Sequence, residues 1–378
     1  MLDRLLLPAS AWRGCLLFLV SLATAAFARA QAPAITFSGD LRLRYENDWD
    51  SRTAAGVPRA DRERARVRAR LAASVKLSET VSLGARVRTG NPDSQQSTHL
   101  SFWSSDDQED DLEGNFDRYF IQYKEGPVVA WAGRNNLPFW QQNELFWDED
   151  VTPTGFSLAH ESKLATGTLT TTGGAFMLPD GAVHLHGTFV GGQVRYVRPV
   201  SSGQVTVAAG LHALNGKAGA ELLRNRNGER DYLIGVLSGQ WATAAGGLPL
   251  TFGVDLIENF ASYDAADVAP FAPGYADETS GYVLSALAGQ LRAAGDWQLG
   301  YFYARIETLA VNASYAQDDW ARFGSGPQSD VTDFQGHELR AAYAFTPNLN
   351  VMARLFLVEA ITTPQDGNRV RVDLNWRF

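Results

Sequence analysis

Cysteine is almost absent, with one in 378 residues, and methionine is scarce, with three. The lone Cys15 excludes an intrachain disulfide framework and paired-thiol redox chemistry. Beyond residues 1–30 no apolar stretch runs for about eighteen residues, so no transmembrane helix is expected. Basic residues number 33 against 42 acids, and the formal net charge of −9 argues against nucleic acid as a partner. Walker-type and dinucleotide-binding loops are missing. Of the histidines, His184 and His186 share a strand face but have no cysteine or second ligand pair nearby, so no metal site is expected. His99, His160, His212 and His337 are scattered, and no Ser-His-acid arrangement follows from their spacing. Neither catalytic residues nor a cofactor are expected.

What the chain does have begins with a secretory signal over residues 1–30. Arg4 and Arg13 supply positive charge, Gly14 to Phe27 is an apolar run, and Ala28-Arg29-Ala30 places the cut before Gln31. Trp12-Arg13-Gly14 is not the apolar-small run that lipid attachment at Cys15 requires, so that residue is expected to leave with the signal. Losing three basic residues and one acid takes the net charge from −9 to −11. Residues 31–378 are then expected to form one domain.

That domain alternates with a period of two. Ile35, Phe37, Gly39, Leu41, Leu43 and Tyr45 alternate with Thr36, Ser38, Asp40, Arg42, Arg44 and Glu46. Only a strand puts alternate residues on opposite faces. Arg62, Arg64, Arg66, Arg68 and Arg70 share one face, and Ala65, Val67, Ala69 and Leu71 the other. A helix would scatter those arginines around its circumference.

The same test predicts about sixteen strands, with 14–18 as the range and boundaries good to a few residues. They fall near 34–46, 62–77, 80–90, 115–124, 127–134, 153–161, 163–177 and 183–198. The series continues near 203–213, 231–242, 248–262, 280–292, 295–311, 334–345, 348–361 and 368–378. Long polar joins (47–61, 91–114, 135–152, 214–230, 263–279, 312–333) alternate with short ones such as Lys124 to Pro127. The expected fold is all-β, a transmembrane antiparallel barrel with short periplasmic turns and long external loops, because closure satisfies every backbone group in lipid. Tyr45, Tyr119, Tyr123, Trp297, Tyr301, Tyr303, Trp376 and Phe378 lie toward strand ends, where amphipathic rings suit the headgroup level. Lipid and lipopolysaccharide are thus expected partners, and a homotrimer stays open because no subunit-facing patch is readable.

Parity turns the charged face inward, since a charge facing lipid costs about 2–4 kcal/mol near mid-membrane. The last strand must close on the first, so one arc of wall would carry Arg42, Arg44, Arg64, Arg66, Arg68, Arg70, Arg86, Arg88, Arg369, Arg371 and Arg377, with Arg62 at the mouth. Asp40, Glu46 and Asp373 are the local offsets. Such a wall either favours anions in a water-filled lumen or pairs with acidic loops folded inside. Two acidic segments are available. One carries Asp106, Asp107, Glu109, Asp110, Asp111 and Glu113, either a solvated tip or a divalent-cation site at the lipopolysaccharide surface. The other ends in Trp147, Asp148, Glu149 and Asp150 after Pro138, Phe139, Trp140, Leu145 and Phe146; tucked inward, it would narrow the lumen.

The stretch Asp40 to Glu46 with the Arg62–Arg70 ladder resembles the opening strands of the putative porin family of Gram-negative bacteria. Phe116 to Tyr123, Ala132-Gly133-Arg134 with Pro138-Phe139, and Trp147 to Asp150 through Gly155 resemble its next landmarks. The likeness is strongest over 35–161. The related alginate-export family shares an arginine-lined barrel, but its Gly-Arg-Gln element would fall at Gly133-Arg134-Asn135, where this chain departs. The resemblance implies an outer-membrane channel that passes small hydrophilic or anionic solutes, with no chemistry of its own. Its alternative is a selective channel for an acidic polysaccharide or organic anion. The terminal Phe378 resembles the signal read by the barrel-assembly machinery.

Overall fold

The computed structural model describes residues 34–220, 222–268, 273–320 and 332–378. The expected signal segment lies outside the described residues. The strands are β1 (Ile35–Arg52), β2 (Arg62–Lys76), β3 (Val81–Thr89), β4 (Leu100–Ser104), β5 (Gly114–Glu125), β6 (Val128–Arg134), β7 (Thr154–Leu164), β8 (Gly167–Asp180) and β9 (His184–Val200). They continue as β10 (Gly203–Asn215), β11 (Tyr232–Ala245), β12 (Leu248–Asn259), β13 (Ser280–Gly289), β14 (Trp297–Ile306), β15 (Phe334–Thr346), β16 (Leu349–Ala360) and β17 (Asp366–Arg377).

Among the described residues all pairings are antiparallel, and 16 strands close into one barrel. The seam joins β17 to β1 from Asp40 opposite Arg377 to Asp48 opposite Arg369. Among the described residues each of these 16 strands is paired on both sides, the condition for crossing lipid with strands. β4 stands outside this count. It belongs to the long connection after β3 and pairs with the upper part of β2, from Arg64 opposite Ser104 to Val67 opposite Leu100.

The alternation sorts the faces as the sequence requires. Leu43, Tyr45 and Leu71 are exposed on the outer surface, while Arg44, Glu46 and Arg68 between them are buried inside. Charge inside and grease outside inverts a soluble protein and suits a lipid surround. Tyr119, Trp297, Tyr301, Trp376 and Phe378 are all exposed on the outside.

Turn chemistry fixes the short joins. Gly246 and Gly247, with φ of 57° and 84°, link β11 to β12. Two successive left-handed residues make the hairpin turn whose twist matches the flanking strands. At the other end the chain returns through long segments, of which 135–153 packs inside the barrel.

Several boundaries differ from the sequence reading. β1 runs on to Arg52 rather than stopping at 46, pairing its extension with β17 and β2. β14 stops at Ile306, and Leu309 and Val311, whose alternation reads as strand, are instead fully buried in a segment folded inward. Alternation reports a buried side; it does not say that the partner is a sheet. The short β4 and the 3-10 turns Arg224–Glu229 and Pro273–Asp277 carry too little periodicity to be read in advance.

The apolar core lies within the barrel, between the inward segments and the wall from β8 to β14, and it reaches Phe334 of β15 and Phe356 of β16. Trp147 stacks on Tyr315 with ring centroids 5.2 Å apart and meets Phe189 at 5.3 Å. Phe139 and Phe146 close on His212 of β10 at 4.8 and 4.7 Å. Aromatic burial of this kind pins the loop to one side of the barrel interior.

Candidate functional site

The opposite wall is built by β15, β16, β17, β1, β2 and β3, and its inward residues are mostly arginines alternating with carboxylates across the ladder. Arg44 donates to Asp373 at 2.7 Å, its direct cross-strand partner, and lies 3.8 Å from Asp319. Arg64 pairs with Glu46, and Arg371 reaches the same carboxylate at 2.5 Å. Arg369 and Arg62 share Asp48. Arg86 donates through Nε to Asp117 at 2.9 Å. Arg68 and Arg70 share Asp40 at 3.0 and 2.7 Å.

The remaining arginines of the expected arc are held differently. Arg42 donates to Asn375 at 2.6 Å. Arg66 donates to Ser97 Oγ at 3.2 Å and the His99 carbonyl at 3.1 Å. Arg88 donates to the carbonyls of Asp150, Ser94 and Gln95. Arg377, the last residue of β17, is exposed and reaches the cavity that Arg42 and Arg66 line.

The arc is offset by more carboxylates than Asp40, Glu46 and Asp373. Asp48, Asp117, Asp150, Asp319 and Glu338 join them, and Glu338 holds Arg340 and Arg354, two further inward arginines. Glu338, Arg340 and Arg354 stand on the inward parity of β15 and β16, so the alternation test applied there finds them. Asp117 escapes that test because the ladder shifts register between Arg86 and Val87, which turns an extra residue inward.

The segment ending in Trp147, Asp148, Glu149 and Asp150 meets this wall. Asp150 is 2.8 Å from Arg70 and 3.4 Å from Arg68, and it accepts a hydrogen bond from Thr98 Oγ1 at 3.0 Å. Glu149 is 3.3 Å from Arg68. Trp147 is 1% exposed, and its indole N–H donates to the Val151 carbonyl. The Asp148 backbone N–H donates to the Tyr315 carbonyl at 2.8 Å, tying the two inward segments together.

Burial and charge act in opposite directions on these loop acids. Against the cost of burial, Arg68, Arg70 and Arg88 hold Asp150 below the usual carboxylate range. Asp319 is likewise held low, by Arg371, Arg44 and Arg354 against burial. Burial, with Glu149 and Asp319 nearby, pushes Glu144 up to about 8. Asp148 is raised by burial and by Glu144.

Between wall and loop lies a cavity of about 220 Å3. Arg42, Arg44, Arg66 and His99 line one side, and Glu144, Glu149 and Asp319 another. Leu145, Phe302 and Met352 supply apolar surface. The arrangement can bind or steer charged solutes of either sign.

The other acidic segment is engaged with its own backbone. Glu109 accepts from the Ser104 N–H at 3.0 Å and Asp110 from the Ser101 N–H at 2.6 Å, which caps β4. His186 Nε2 lies 2.7 Å from the Lys217 carbonyl, away from the cavity.

Comparison with known proteins follows the same lines. A family model described as a putative porin matches residues 54–187 and 233–378. Among solved structures, OprB of Pseudomonas putida superposes with a TM-score of 0.57 at 10% identity, covering 97% of each chain. OmpF of Salmonella typhi gives 0.53 at 11% identity, over 91% of this chain and 97% of that one. OmpT of Vibrio cholerae, in a trimer form, gives 0.50 at 9% identity, over 92% and 100%. At such identities the likeness is one of fold. Comparison with curated proteins returns no match.

Proposed function

The chain belongs to the putative porin family, and from that premise we propose that it is a porin-like channel for passive diffusion of small hydrophilic solutes, with a weak preference for anions. The outer membrane is its location, as for the porins it resembles. The observation that carries the preference is the state of Arg42 and Arg66. Among the described residues neither has a carboxylate within 4.0 Å, whereas most other arginines of that wall do. Guanidinium groups outside ion-pair contact with a carboxylate in a narrow lumen raise the local concentration of anions.

Paired arginines contribute little net field, so the bias is modest. On this reading Arg42, Arg44, Arg64, Arg66, Arg68, Arg70, Arg86, Arg88, Arg369 and Arg371 line the pore, and Trp147 to Asp150 form its constriction. The channel performs no chemistry. An acidic-polysaccharide exporter fits less well, because loop 135–153 occupies one side of the lumen and its aromatics are packed there. Export through a signal cleaved before Gln31, recognition of Phe378 by the assembly machinery, contact with lipopolysaccharide and a homotrimer complete the proposal. The trimer rests on the likeness to OmpT of Vibrio cholerae.

The test is the reversal potential of the purified protein in a planar bilayer under a potassium chloride gradient. A small potential of anion-favouring sign is expected, reduced in Arg42→Gln/Arg66→Gln. A cation-favouring potential would overturn the preference.

A further inference from the structure

We propose that the cavity beside the inward loop is a binding site for the carboxylate of a short-chain organic monoanion, held by Arg42, Arg66 and His99. The inference rests on the channel reading and adds a solute class to it. Arg42 uses Nε on Asn375, and its other guanidinium nitrogens have no partner among the described residues. Arg66, 9% exposed, spends one nitrogen on Ser97 and His99, and its Nε is buried without a partner. His99, 8% exposed, lines the same cavity with Nε2 buried and unpartnered. Burial and the neighbouring arginines keep its ring neutral, so one ring nitrogen can donate without adding charge.

Unpartnered buried polar groups are costly, and Arg66 Nε and His99 Nε2, with the half-buried guanidinium of Arg42 lining the same cavity, point to an acceptor that visits it. A carboxylate meets a guanidinium through two parallel hydrogen bonds, which chloride cannot make. Arg44, Arg340, Arg354 and Arg377 line the space too, but the first three are held by Asp373 and Glu338, and the charge that fits is single because Glu149 and Asp319 in the same lining would repel a second one. Leu145, Phe302 and Met352 offer an apolar surface to a short hydrocarbon body. A monocarboxylate with an aliphatic tail satisfies all three conditions. Phosphate and dicarboxylates satisfy one or two.

Potassium propionate in place of potassium chloride tests this in single-channel recordings. Conductance should saturate with propionate in the millimolar range, and Arg42→Gln/Arg66→Gln or His99→Ala should move the saturation point upward at least tenfold. Succinate and phosphate should require at least tenfold higher concentrations. Equilibrium dialysis of labelled propionate against the wild-type protein in detergent, with acetate and phosphate as competitors, gives the same answer without a substitution. Conductance that rises linearly with propionate, or stronger saturation by phosphate, would overturn the site and leave the pore standing. Absence of any conductance in potassium chloride would remove the channel and the site together.

Discussion

Asp150 lies 2.8 Å from Arg70, a loop carboxylate seated on a strand guanidinium across the inside of the barrel. The contact ties the constriction candidate to the wall, and the loop's other side is fixed by aromatic packing. Removing one partner of a buried pair leaves an uncompensated charge and costs about 3–5 kcal/mol. Arg68 and Arg70 keep Asp40 and Glu149, so Asp150→Asn should cost less than that, loosen loop 135–153 and leave the two guanidinium groups short of one counter-charge. Limited proteolysis should cut the loop at least tenfold faster, and the reversal potential should move toward anions. Unchanged values of both would show that the pair is not formed.

Trp147 anchors the apolar side of the same loop between Tyr315 and Phe189. Truncating a large buried aromatic costs about 3–5 kcal/mol. Trp147→Ala should release the loop from that side, raising single-channel conductance and current noise together while the barrel stays folded.

Acidity should modulate the channel through Glu144. Burial and then Glu149 and Asp319 push its carboxyl up to about 8, so it is protonated at neutral pH. A raised carboxylate favours the folded loop at low pH. That contribution is complete below the ordinary value of 4.5 and is lost as pH climbs through about 8. Ionisation adds a negative charge to the cavity, so the anion preference should fall between pH 6 and pH 9. In Glu144→Gln the difference between the two should shrink, with Asp148, also raised by burial, as the remaining acid of that lining.

The outer face tests the lipid side. Leu237, near the middle of β11, is 49% exposed on that face. A cation facing lipid near mid-membrane costs about 2–4 kcal/mol. Leu237→Arg should lower folding stability in lipid vesicles by about that amount, measured by urea titration. The same substitution costs little if the face is wet.

The chain end closes the barrel. Gly39 and Phe378 exchange two backbone hydrogen bonds, at 3.0 and 3.1 Å, and the Phe378 ring lies over the glycine, where a Cβ would come within 2.6 Å of it. Aromatic cover of a strand glycine with the neighbouring Trp376 contact is worth about 1 kcal/mol. Phe378→Ala should lower the heat needed to unfold the barrel in gel-shift assays.

Most of the fold was legible because one physical rule, period-two alternation, governs every barrel strand. The Arg62–Arg70 ladder and the β17 alternation need nothing more. Even the glycine-rich β8 and β9 fall where alternation put them. The interior was less legible. Asp319 meets Arg44, Arg354 and Arg371 from a segment whose position depends on how loops pack, and packing leaves no period in sequence. The inward turn at Asp117 depends on a bulge, which parity alone misassigns.

The central claim is that these strands enclose a water-filled passage through lipid, and planar-bilayer recording of the purified protein tests it most directly. Stepwise, ohmic increases in current on addition of nanomolar protein are the expected result. A bilayer that stays sealed although the protein has inserted and folded as β-structure would contradict it.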